Sequence, residues 1–479
     1  MTATCLARRQ DAVGLLGSIL DRKAPDFCAL SDAVWEVPEL NYEERQSAAL
    51  HREMLVQECF TVTEDLAGIP TAIRGECGEI GPVITFLGEY DALPGLSQVA
   101  GIAERRALQT GGNGHGCGHN MLGTASLLAA AVLKDTLAEL DLAARVQYIG
   151  CPAEEGGSAK SFLVREGVFD DVDAALCWHP SAFTGLIEPS SLACLEAEFR
   201  FEGRASHAAV APQEGRSALD AVELMNVGVN YLREHMPSNA RVHYAVTDTG
   251  GSAPNVVQPQ AAVRYVVRGG TLPEMWVLFD RVRQIATGAA LMTETTVSDR
   301  QISGEANMLG NTVLEDIMTD VLHAAGGPDF DAADHAFAAE IARTLPEGSV
   351  DRSFAERNLP RPDGAYLTDA VAPRRRAAQG FGSTDVGTVS WAVPTVQCAA
   401  ACYAVGTPGH SWQLVAQGKS GMAHKGLVHA ARLMALAALR LVEEPVHLTR
   451  AHEEHRRLLG KTPFHNPVTD VKDLPWSSG

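Results

Sequence analysis

Pro82-Val-Ile-Thr-Phe-Leu-Gly-Glu-Tyr-Asp-Ala-Leu-Pro94 is a nearly continuous apolar run that breaks into two carboxylates and a proline. A strand buried on both faces reads this way, and such strands belong to parallel sheets covered by helices. In open α/β sheets ligands sit beyond the carboxyl ends of the strands, so Glu89 and Asp91 stand where a site would be. Two more segments share the pattern. Residues 144–150 run into Cys151-Pro-Ala-Glu-Glu-Gly-Gly157, and residues 172–177 run into Trp178-His-Pro180. Each delivers a candidate ligand or acid–base group: Glu154, Glu155 and His179.

Between the first two of these strands lies Gly111-Gly-Asn-Gly-His-Gly-Cys-Gly-His-Asn120. Glycine removes the Cβ penalty for positive φ, so this loop can wrap a small object. Cys117 and His119 are donors that suit a divalent ion such as zinc. A glycine-rich loop can also cradle phosphate, but that use calls for a lysine and a hydroxyl after the glycines, and Asn120, Met121 and Leu122 follow instead. The Gly418-Lys-Ser420 triplet lacks the leading glycine of a phosphate loop, with Gln413 in its place. Residues 121–140 read as a helix packing back on the sheet.

Upstream, residues 11–28 and 42–58 have helical spacing, with Pro25 and Pro38 marking breaks, and Trp35 to Leu40 reads as a packed turn. Near Ser190 the rhythm changes to the alternation of a half-exposed antiparallel strand over residues 192–201. A helix (217–234), two strands (241–247 and 261–268), a helix (273–290) and Thr295-Thr-Val297 follow. This order predicts an inserted α+β domain over 190–303, dividing an α/β domain, a mostly parallel sheet flanked by helices, into 1–189 and 304–479. Residues 313–325 read as a helix. Residues 328–376, with the basic run Arg374-Arg-Arg376, read as a solvated excursion. Apolar runs resume at 389–393 and 402–406, and Gly406-Thr-Pro-Gly-His-Ser-Trp412 again sets a histidine in a loop after one. His424 rivals His410 as a ligand, but it opens the long helix 426–442, so His410 is favoured.

A net charge of -20 over 479 residues repels nucleic acid and anionic membranes, so an acidic substrate has to be met by local cations. The first ten residues lack an apolar signal run, and no segment has about 20 uninterrupted apolar residues. Ten cysteines without a C-x-x-C pair fit a reducing cytoplasm.

Taken together, Gly88-Glu-Tyr-Asp-Ala-Leu, Asn113-Gly-His-Gly-Cys-Gly-His-Asn, Cys151-Pro-Ala-Glu-Glu-Gly-Gly, Trp178-His-Pro, Gly215-Arg-Ser-Ala-Leu-Asp-Ala-Val, Pro254-Asn-Val-Val-Gln and Ser383-Thr-Asp-Val-Gly resemble the aminoacylase/carboxypeptidase family of di-metal amidohydrolases, in the branch with a Cys-x-His metal loop. The resemblance implies two divalent ions, Mn2+ or Zn2+, bridged by Cys117. One would be completed by His119 and His179, the other by Glu155 and His410. It implies Glu154 as general base, Asp91 as the carboxylate behind a ligand, His207 as a residue that polarises the scissile carbonyl across a dimer interface, and Asn255 with Arg268 as the substrate-carboxylate pair. Many relatives take a first ligand from His-x-Asp; here Glu89 fills that place.

The implied reaction is hydrolysis of the amide of an N-acyl amino acid, p-aminobenzoyl-glutamate or a similar aryl conjugate first. The alternatives are an aminoacylase or dipeptidase on other substrates, or a catalytically silent ligand-binding subunit. The resemblance makes residues 1–189 and 304–479 the catalytic domain and the insert at 190–303 a lid or dimerisation domain, and the implied assembly is a homodimer, or a heteromer with an A-type subunit.

Overall fold

The computed structural model describes residues 3–374, 380, 382–472, 474 and 476, with side chains from Asp11 onward. The chain opens with α1 (Ala3–Glu36), α2 (Arg45–Gln57), β1 (Thr61–Thr63), β2 (Ile73–Cys77) and β3 (Val83–Glu89). After the glycine loop come α3 (His119–Leu140), β4 (Arg145–Cys151), α4 (Ala159–Arg165), β5 (Ala174–Ser181) and β6 (Gly185–Ile187). Then follow β7 (Ala193–Glu202), α5 (Ala218–Leu232), β8 (Arg241–Asp248), β9 (Gln260–Gly269), α6 (Leu272–Thr293) and β10 (Thr296–Glu305). The chain returns through α7 (Thr312–Ala325), α8 (Ala332–Ala342), α9 (Ser349–Glu356), α10 (Val386–Ala392), β11 (Thr395–Ala401), α11 (Trp412–Gln417), α12 (Gly421–Glu443) and α13 (Val446–Leu459).

Among the described residues the larger sheet runs β1-β2-β4-β3-β5-β11-β6. Its four central strands, β4-β3-β5-β11, are parallel, while β1 and β2 at one edge and β6 at the other are antiparallel. Every residue of β3 is buried, as its unbroken apolar run requires. Alternate side chains feed opposite layers: Ile84 and Phe86 pack with α1, α3 and α12, whereas Val83 and Leu87 pack with Phe162 of α4 and Val389 of α10. Burial of each such large side chain is worth roughly 1.5–3 kcal/mol. By length and composition α3 could cross a membrane, but 83% of its most apolar window is buried inside the fold, the mark of a core helix.

The smaller sheet, β10-β7-β9-β8, is antiparallel throughout. Leu195, Ala197, Phe199 and Phe201 of β7 point into a separate core against α5 and α6, and the charged residues between them point away. A Thr271–Glu274 capping box starts α6.

Two expectations need correction. Pro25 does not break the first helix; α1 runs through it. Its lost N–H is tolerated because Leu16, Leu20, Phe27, Leu30 and Val34 anchor the helix in the main core on both sides of the proline. The 328–376 stretch is not simply solvated. Phe354 and Leu367 are buried, and Arg374 pairs with Glu315 and Asp316 of α7; Arg375 and Arg376 lie outside the described residues.

Two buried imidazoles lie off the site. His51 Nδ1 meets Ser47 O at 2.8 Å and His429 Nε2 meets Gly326 O at 2.9 Å. Burial lowers each to about 4, so the folded state holds them neutral. An unfolded imidazole takes its proton near pH 6.5. The stability they contribute is therefore whole above pH 6.5 and is lost as pH falls toward 4. Urea unfolding at pH 7 and pH 5 should show a loss of roughly 2 kcal/mol per imidazole, and His429→Gln should remove its share of that slope.

Candidate metal centre

Gly118 starts the site. It takes φ 83°, the left-handed region, as the residue before α3, so His119 enters the helix directly from the loop and points back under the carboxyl ends of β3 and β4. Its neighbour Gly116 lies against the loop that carries His410. A Cβ there would meet Leu96 Cδ1 at 2.4 Å and His410 Cα at 3.4 Å, and the Gly116 carbonyl accepts from His410 N at 2.9 Å. The loop from the end of the chain is thereby tied to the Cys-x-His loop.

Five sequence-predicted donors converge. Cys117, His119 and His179 form one group whose ligand atoms lie within 4.8 Å of one another, and Cys117, Glu155 and His410 form a second. Cys117 Sγ lies 3.3 Å from His179 Nε2, and His410 Nε2 lies 3.4 Å from Glu155 Oε2. His119 Nδ1 pairs with Asp91 Oδ1 at 2.8 Å, and His179 Nδ1 pairs with the Pro180 carbonyl at 2.8 Å. Each bond keeps the ring proton on Nδ1 and frees the Nε2 lone pair for a cation. His119 Nε2 and Glu155 Oε1 are buried and without a hydrogen-bond partner. Such atoms are costly unless something else satisfies them. Cys117 is common to both groups, and a thiol that can lose its proton, three imidazoles and a carboxylate are donors that would suit divalent ions.

Desolvation pushes the Cys117 thiol up to about 12. A cation at the sulfur therefore has to displace a proton. Desolvation, then the charges of Glu89 and Asp385, raise Glu154 well above the ordinary carboxylate value. Glu154 and Glu89 each bring an oxygen within 4.8 Å of the His119 ligand atom.

Glu89 is held by Lys160. The Lys160 Nζ lies 2.7 Å from Glu89 Oε1 and 2.6 Å from Asp385 Oδ1, all three side chains being buried. Lys160, two residues before the apolar run Phe162-Leu-Val164 of α4, and the Asp of Ser383-Thr-Asp-Val-Gly are the sequence signals for this pair, neither of which by itself indicates a partner. Glu44 was also missed. Its buried carboxyl, raised to about 8 by desolvation, accepts from Ala153 N at 2.9 Å, and Ala153 itself sits at φ 54° just before the Glu154–Glu155 pair.

The predicted residues of the inserted unit fall elsewhere. His207 and Asn255 are exposed and adjacent, with Ala208 N donating to Asn255 O at 2.9 Å. The His207 Nδ1 accepts from Ala209 N and Val210 N, and among the described residues none of its hydrogen bonds or ion pairs reaches the donor cluster. Arg268 is half-buried and donates to Ser383 Oγ at 2.6 Å. The rival ligand His424 is spent on Asp32, 2.9 Å away. In the Gly418-Lys-Ser420 triplet, Lys419 pairs with Glu36 and Ser420 caps α12.

A family model described as peptidase family M20/M25/M40 matches residues 85–353. The B-type chain of the p-aminobenzoyl-glutamate hydrolase of Escherichia coli (strain K12) is 43% identical over 472 residues, 96% of this chain and 98% of that protein. An Xaa-Arg dipeptidase of Mus musculus is 28% identical, over 91% of this chain and 90% of that protein. Among solved structures, an aminobenzoyl-glutamate utilization protein from Klebsiella pneumoniae aligns with TM-score 0.58 at 17% identity, covering 88% of this chain and 98% of that one. A Bacillus subtilis protein described as a dinuclear metal-binding peptidase of the M20 family aligns with TM-score 0.57 at 18% identity, covering 88% and 99%. These two likenesses carry the fold. With the family model matching more than half of its length, the chain belongs to peptidase family M20/M25/M40, a family of dinuclear metal-dependent hydrolases acting on carbon–nitrogen bonds.

Proposed function

We propose that the protein hydrolyses the amide bond of an N-acyl amino acid, with p-aminobenzoyl-glutamate or a similar aryl conjugate as its substrate. The observation that carries this reading is the convergence of Cys117, His119, Glu155, His179 and His410 beside an additional carboxylate, Glu154. The substrate class is supported by the 43% identity to one chain of a hydrolase named for that conjugate.

Two divalent ions held by these five residues, manganese or zinc, would supply Lewis-acid polarisation of the amide and a more acidic water. The chain's own groups do the rest. Glu154, raised by desolvation and its acidic neighbours, takes a proton from the attacking water and returns it to the departing amine nitrogen. Asp91 holds His119 in its tautomer and, through its other oxygen, accepts from Glu155 N at 2.9 Å. Asn255 and Arg268 grip the α-carboxylate of the substrate.

His207 would polarise the scissile carbonyl from a neighbouring protomer, since in its own chain the ring is turned to the exposed loop. That protomer is another copy or an A-type chain. A homologue of the A-type chain of p-aminobenzoyl-glutamate hydrolase, from Haemophilus influenzae, is 28% identical over 42% of this chain and 47% of that protein, which supports the latter.

The metal-loaded protein, alone and mixed with an A-type chain, should release p-aminobenzoate from the conjugate in a mass-spectrometric assay. Absence of any N-acyl amino acid hydrolysis under both conditions overturns the reading. Glu154→Gln should lower turnover on the order of 10²-fold or more while metal content stays at the wild-type level by elemental analysis. Asp91→Asn should instead weaken metal affinity by about 10- to 100-fold in a competition titration with a chromogenic chelator.

A further inference from the structure

The excursion between α8 and β11 forms one wall of a cavity of about 860 Å³ that reaches His179. The wall is built into the fold rather than draped over it. Phe354 meets Phe183 edge to face at 5.3 Å, Ala372 N donates to Thr184 O at 2.7 Å, and Val405 N donates to Tyr366 O at 2.8 Å. Across the cavity stand Leu186 and Ile187 of β6. Tyr403 also lines it and donates to the carbonyl of Pro180, next to His179, at 3.2 Å.

Several cations of the excursion are spent on neighbours. Arg361 pairs with Asp351 at 2.7 Å, Arg374 with Glu315 and Asp316, and Arg352 donates to Ser349 Oγ at 3.1 Å. Arg357 differs. It lines the cavity and is exposed there, and no hydrogen bond or ion pair engages its guanidinium among the described residues. Two carboxylates, Glu188 and Glu356, line the same space in a chain of net charge -20. Between these carboxylates an anionic group is drawn to that guanidinium, whose planar fork pairs a carboxylate through two hydrogen bonds.

We infer that Arg357 is a specificity residue that binds a second carboxylate of the substrate, the one on the amino-acid side chain, in the cavity beside His179. The protein thereby prefers N-acyl derivatives of acidic amino acids. This rests on the amide-hydrolase reading above and goes beyond it, because Asn255 and Arg268 account for the α-carboxylate alone. Arg357 lies outside the stretch matched by the family model, residues 85–353.

The test compares p-aminobenzoyl-glutamate with p-aminobenzoyl-glutamine, which differ only in that side-chain charge, on the metal-loaded full chain. Arg357→Gln should raise KM for the glutamate conjugate by about tenfold or more, from the usual worth of a charge-assisted hydrogen bond, and leave KM for the glutamine conjugate unchanged. Arg357→Lys should recover part of the loss. Equal losses on both conjugates, no loss on the glutamate conjugate, or a wild-type preference for the glutamine conjugate would each overturn the assignment while leaving amide hydrolysis intact. Failure of the wild type to cleave any N-acyl amino acid, alone or with an A-type chain, would overturn both.

Discussion

One carboxylate ties this site together. Asp91 sits just past the end of β3, and its two oxygens hold His119 Nδ1 at 2.8 Å and Glu155 N at 2.9 Å. A donor for each of the two cation positions is thus oriented by the same side chain, although one comes from the start of α3 and the other from the turn after β4. The parallel pairing of β3 with β4 brings those two ends side by side. If that register slipped, Asp91 could not serve both, and the lone pairs on His119 and Glu155 would no longer face a common space.

Around this carboxylate the interior is unusually acidic. Glu89, Asp91 and Asp385 are buried around Glu154 and Glu155, Glu305 acts on Asp385, and Lys160 is a buried ammonium among them. Uncompensated burial of that much negative charge is expensive. Lys160 offsets Glu89 and Asp385, Arg268 approaches Glu305, and the His119 and Glu155 atoms left without hydrogen-bond partners are where divalent cations would complete the balance. The same excess of carboxylates is the reason we propose the guanidinium groups of Arg268 and Arg357 as partners for a substrate anion.

Much of this was legible beforehand because the chemistry is local. Each strand-end donor follows an apolar run, so Asp91, Glu154, Glu155 and His179 were found from hydropathy and position, and Cys117 and His119 from the glycines around them. His410 was separable from His424 because a histidine opening a helix has a simpler explanation, and Asp32 supplies it. Pro25 was misread because local propensity counts the lost hydrogen bond but not the core that clamps the helix on both sides. Lys160, Glu44 and Arg357 went unseen for a related reason. Their partners or cavities lie on segments tens to hundreds of residues away, and nothing in the adjacent sequence marks a buried lysine or an arginine that lines a cavity.

From the sequence alone came the layered α/β plan, the antiparallel insert, the donor types and the family, since periodicity, glycine placement and motif spacing are properties of neighbouring residues. The tertiary structure decided which lone pairs face one another, that Glu89 answers to Lys160, and that the excursion walls the cavity at His179. Those outcomes depend on distances between residues far apart in the chain, and only the packing of one sheet against its helices sets such distances.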